Sequence, residues 1–184
     1  MVGSSNTLVY PVENLIGNEP IYLTAVYTPG SVAPVTVTFD SRGGTLVPTV
    51  TVSSGNSVPK PESPEKTGEA FTGWYTDAAC TAEAKFDFLT PVTGDLTLFA
   101  GWEIPEFNGI LKLPAGLTEI GVDAFVGTAA EAVVIPESVV TIEGNPFASG
   151  SVRYIFGFGG AAKTMSETYD YRWVLIDADW LAMH

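Results

Sequence analysis

Residues 157–162 read GFGGAA, the G-x-G-x-x-A pattern whose glycines let a backbone approach a pyrophosphate while the next helix turns its N-terminus to the phosphate charge. A strand-like run precedes it, a helical run follows, and Asp177 comes about 20 residues on, the spacing of a ribose-binding acid. A dinucleotide-binding half, however, needs further strand-helix-strand units to build its crevice, and only seven residues follow Asp177. The helical run is about two turns long, and Ile155 falls 22 residues after Val133, in phase with a repeat described below. No cofactor is therefore expected.

Other chemistry is equally thin. Asp177 and Asp179 stand two apart, as two ligands of a calcium loop can, but such loops gather six or more oxygens. A single cysteine, Cys80, and a single histidine, His184, supply neither a disulfide, a metal cluster nor a nucleophile-base pair. Trp74, Tyr75, Phe99 and Trp102 suit a sugar-stacking platform, yet they alternate with polar residues on strand-like runs, which favours core duty. Neither a metal nor an enzymatic activity is expected.

The elements that would position these residues are short. Thirteen prolines, nineteen glycines and abundant Val and Thr favour strands and turns over long helices. Eight basic residues against 21 acidic ones give a net charge of −13, which opposes nucleic acid and anionic lipid surfaces. No run of about 18 apolar residues is present to insert in a bilayer. The opening MVGSSNT lacks a signal-peptide pattern and reads as a cloning scar or a cut inside a longer protein.

In VTVTFD, Val35, Val37 and Phe39 alternate with threonines, the period of a half-buried strand. Gly43 and Gly44 then suit the positive φ of a tight hairpin. A strand around Val47–Val52 carries Pro48, which fits a sheet edge. A Pro-rich crossover follows, then two strands, FTGWYTD and LTLFAGW, the second placing Leu96, Leu98, Ala100 and Trp102 on one face. With VTVTFDSRGG, GEAFTGWYTD and FDFLTPVTGDLTLFAGW in order, residues 35–102 resemble the Listeria-Bacteroides repeat (the internalin-type B-repeat). The resemblance implies a small β-grasp-like fold, found in tandem on secreted and surface proteins of bacteria, with Cys80 in a variable loop.

Upstream, Tyr10, Val12 and Ile16 sit 76 residues before Phe86, Phe88 and Val92, while Leu23, Ala25 and Tyr27 sit 75 before Leu98, Ala100 and Trp102. Residues 1–33 are thus expected to be the remnant of a preceding B-repeat-like unit or an ordinary N-terminal hairpin.

Downstream, LPAGLTEIGVDAF (113–125) returns as IPESVVTIEGNPF (135–147), 22 residues apart. A fixed period in the low twenties, with aliphatics and a Phe at set positions, is the signature of stacked coils, each covering its neighbour's apolar flank. The wording is similar to BspA-type leucine-rich repeats of bacterial surface proteins. Gly127-Thr128 followed by AAEA, and Pro146 in the second copy, depart from that pattern. Residues 153–177 resemble the C-terminal cap of such solenoids, with Ala161, Ala162, Met165 and Tyr169 on one helical face plugging the stack. Two repeats are few for a free solenoid, so the first turn, near Phe107–Leu113, is expected to be covered by the preceding domain or linker.

The fold class expected is α+β, mostly β: residues 1–33 as above, a B-repeat at 34–104, and capped leucine-rich repeats at 105–184. With Leu111, Val133 and Ile155 inside the coils, the following residues Lys112, Val134 and Phe156 form an outward column that either meets a partner or lies under a neighbouring domain. The expected function is non-enzymatic: a bacterial cell-surface or secreted protein whose B-repeat is a spacer and whose solenoid binds a host or microbial surface protein. A glycan-binding or substrate-recruiting accessory module of a larger surface enzyme is the alternative.

Overall fold

The computed structural model describes residues 7–12, 21–26 and 32–184. The chain divides into two units, residues 1–33 and 34–184. In the first, β1 (Thr7–Val12) and β2 (Ile21–Val26) form an antiparallel hairpin, registered from Thr7 opposite Val26 to Val12 opposite Ile21. The proposed half-copy also rests on Ile16 and Tyr27, which lie outside the described residues, as does the reading of residues 1–6.

In the second unit, β3 (Pro34–Asp40) buries Val35, Val37 and Phe39 and exposes the residues between them, as its period requires. The turn after it takes positive φ at Arg42 and Gly43, one residue earlier than expected. Gly44 is needed for space instead: a Cβ there would lie 2.5 Å from Cζ2 of Trp102. Pro48 precedes the strand it was expected to sit in, and β4 (Val50–Ser53) pairs with β3 at the sheet edge. The short β5 (Asn56–Ser57) leads into an extended crossover, then β6 (Ala70–Tyr75). A single 3-10 turn at Ala82–Ala84 precedes the short β7 (Pro91–Val92), which pairs with β5. The long β8 (Leu96–Glu103) then runs parallel to β3 and antiparallel to β6. Trp74, 2% exposed, anchors this core with Phe39 edge-on at 4.8 Å and Phe71 at 5.5 Å.

Beyond the linker the chain coils. Strands β9 (Ile110–Lys112), β11 (Ala132–Val134) and β13 (Tyr154–Gly157) stack in parallel with Leu111, Val133 and Ile155 in register, each 22 residues from the next. On the return path β10 (Glu119–Ile120) and β12 (Thr141–Ile142) do the same. The ladder continues through the corners: Phe125 N–H donates to Pro146 O at 2.8 Å and Ser151 N–H to Thr128 O at 2.9 Å. Backbone groups that a loop would leave to water are therefore paired between coils. Gly127 and Ser149, also 22 apart, both take positive φ at the same corner, 73° and 57°. Inside, Phe125 stacks on Phe147 at 5.6 Å and 18°, and Phe147 is 1% exposed.

The third coil is closed by α1 (Gly160–Thr168), whose Ala162 and Met165 enter the coil core. Ser166 shares that buried face, whereas Tyr169, expected there, is 39% exposed. After α1, β14 (Arg172–Leu175) runs parallel to β13 and, through Val174 opposite Ala70, antiparallel to β6. One eight-stranded sheet results, in the order β4-β3-β8-β6-β14-β13-β11-β9. The boundary between sequence patterns near residue 104 is thus no break in the sheet, and the repeat domain meets the cap end of the coils. The first turn, expected to be covered by the preceding domain or linker, takes the outer edge of the sheet as β9, away from the repeat domain, with linker residue Phe107 packed on the neighbouring coils. The C-terminal α2 (Ala178–Met183) is capped by Asp177, whose side chain accepts from Trp180 N–H at 2.8 Å.

Candidate functional site

The column proposed as a partner surface is mostly covered. Phe156 (1% exposed) stacks against Trp180 at 4.8 Å and meets Phe107 edge-on at 5.4 Å; Val134 (3%) lies in the same cluster. The chain's own linker and C-terminal helix thus cover this face, leaving Lys112 as the exposed member. The linker is pinned there because Glu131 accepts from Asn108 N–H at 2.9 Å and from Arg153 at 2.7 Å, while Arg153 also donates to Glu106 O. Those donors hold the Glu131 carboxyl below the usual carboxylate range, the Asn108 N–H first and Arg153 second.

The glycine motif does stand between a strand and a helix, with Gly159 and Gly160 at positive φ. Asp177 is engaged as the cap of α2. Among the described residues no three of His, Cys, Asp and Glu gather as a metal site. Cys80, at φ 53°, accepts from Arg42 Nη1 at 3.3 Å in its loop, and His184 stacks on Trp180 at 4.2 Å. Of the aromatic quartet, Trp74 and Tyr75 are core residues, whereas Phe99 and Trp102 are half-buried.

A concavity absent from the sequence reading arises where the cap meets the repeat domain. It measures about 1380 Å³ and is lined by the crossover from Lys60 to Glu69, by β6, by Lys85–Leu89, by the end of β8, and by Ser166–Leu175. Half-buried Phe71, Trp102 and Trp173 supply aromatic surface. Two carboxylates that line it tie the repeat domain to the C-terminal part of the chain. Glu65 accepts from Trp173 Nε1, 108 residues away, at 2.9 Å and pairs with Lys163 at 3.3 Å. Glu103 accepts from Tyr154 Oη at 3.0 Å and pairs with Arg172. Burial, reinforced by the bond to Glu103, raises the Tyr154 phenol above its ordinary value, and Glu103 raises the Arg172 guanidinium. With Gly68 N–H donating to Leu175 O at 2.8 Å, these contacts hold the groove across a fixed join. The sequence could not show it, since Glu65 and Glu103 look like solvated acids and their partners lie a whole module away.

No helix of the described residues is long and apolar enough to cross a membrane. The chain is 34% identical over 122 residues, 66% of its length, to an Evansella cellulosilytica protein whose name calls it a membrane protein, and covers 18% of that protein. It is 37% identical over 123 residues, 66% of its length, to a second protein of the same organism, named as a Gly-rich membrane protein, and covers 14% of it. The chain therefore spans less than a fifth of the length of either relative. No solved structure matches it. Residues 36–101, the stretch from β3 into β8, match the family model of the Listeria-Bacteroides repeat domain.

Proposed function

We propose that this chain is a non-enzymatic interaction module of a bacterial cell-envelope protein. The matching repeat family and the membrane-protein names of the relatives support the location. The 22-residue register of β9, β11 and β13 supports reading residues 105–184 as capped BspA-type leucine-rich repeats, and the β3–β8 pairing supports a β-grasp-like repeat domain.

The observation that carries the reading is the groove itself, built on one continuous sheet by both modules and lined by aromatic and charged side chains. On this reading the repeat domain is part of the binding body and more than a spacer. The partner is a host or microbial surface protein. The half-buried rings of Phe71, Trp102 and Trp173 favour a glycan as the second reading.

Flow cytometry of the labelled chain on intact bacterial and host cells tests both. Attachment abolished by protease pretreatment of the cells and weakened by Phe71→Ala supports a protein partner. Attachment abolished by periodate alone moves the conclusion to glycan, and attachment to no cell type overturns the adhesion reading.

A further inference from the structure

Resting on that reading, we infer that the groove takes an extended, lysine- or arginine-bearing segment of the partner protein. Its volume, about 1380 Å³, exceeds the roughly 300–1,000 Å³ of pockets that enclose small molecules and suits a length of polymer. Seven carboxylates line it against four cations. Two of those cations are already committed, Lys66 to Glu69 at 2.7 Å and Arg172 to Glu103. No cation among the described residues pairs with Glu62, Asp87 or Asp170, which also line the groove. An approaching chain meets a negative field, set within a protein of net charge −13.

The groove also displays the contact it would offer. The Lys66 ammonium stands 5.7 Å from the centroid of the Trp102 ring while Glu69 holds it, a cation over an indole face backed by a carboxylate. The stem of Lys85 runs across Gly73, where a Cβ would come within 2.7 Å of its Cε. Two of the chain's own lysines thus lie in the groove, one over an indole and one against a glycine. A neutral glycan would use the rings and leave the carboxylate excess idle; an acidic glycan would be repelled.

The test is fluorescence anisotropy of a labelled (Lys-Ser)4 peptide against the whole chain. The Asp87→Asn/Asp170→Asn pair is compared with Glu119→Gln/Glu137→Gln, which removes the same charge from exposed positions on the coils. Asn also tolerates the positive φ, 60°, of Asp170. Loss of about tenfold in affinity for the groove pair, with less than about twofold for the coil pair, is expected. Equal losses in the two pairs, or binding of a neutral β-linked glucose hexamer that (Lys-Ser)4 does not displace, would overturn the inference. Either result falls on this inference alone, whereas the adhesion reading falls only if wild-type protein attaches to no cells.

Discussion

Val174 of β14 lies opposite Ala70 of β6, and both are fully buried. This rung joins a sheet of parallel coils to the mixed sheet of the repeat domain. Val174→Ala removes two buried methyl groups and should cost about 2 kcal/mol. Urea denaturation followed by tryptophan fluorescence should show a lower midpoint in one transition, with both modules unfolding together.

Phe147 tests the coil stack separately. Phe147→Ala should cost about 3–5 kcal/mol, because its neighbours Phe125, held by its own coil, and Tyr171, held by its hydrogen bond to Asn145, cannot collapse into the space. Val126→Ala, at a position 55% exposed, should stay within about 0.5 kcal/mol. Thermal scans of the two variants beside wild type make the comparison.

Gly127 and Ser149 share one left-handed corner, yet only glycine adopts it without strain. Ser149→Gly should raise stability by about 0.5 kcal/mol, strain relief exceeding the entropy of the added glycine. An unchanged or lower denaturation midpoint would count against strain at that corner.

The expected pH dependence has two limbs. Glu131 has a carboxyl held below its ordinary value in the folded state, so its contribution is present above the unfolded value near 4.5 and is lost as pH falls through the folded one. Tyr154 has a phenol raised above 10 by burial and Glu103; its contribution is present below that value and is lost as pH climbs through the raised one. Glu131→Gln should flatten the acid limb and Tyr154→Phe the alkaline limb of a plot of denaturation midpoint against pH.

Much of the fold was legible because it is periodic. The alternation at Val35, Val37 and Phe39, and the 22-residue spacing of Ile120 with Ile142 and Phe125 with Phe147, leave a record in sequence of which side chains face inward. What was missed lacks a period. Val174 fits the coil ladder as well as it fits β6, so nothing in RWVL announces that the repeat domain docks there. Phe156 read as outward-facing because its cover, Phe107 and Trp180, comes from a linker and from residues close to the C-terminus. Tyr169 was placed on the buried face of α1, but it is the C-cap and turns away while Ser166 takes the position. The groove was invisible for the same reason as the join that builds it.

That join is the claim on which the groove depends, and hydrogen exchange under increasing denaturant measures it most directly. Slow amides of β8 and β6, of β14, and of β13 and β11 should merge into one opening with a single free energy and denaturant slope. Coil amides in β11 and β13 that open as a group while those of β6 and β8 stay protected would contradict it, leaving two independent modules and no fixed groove between them.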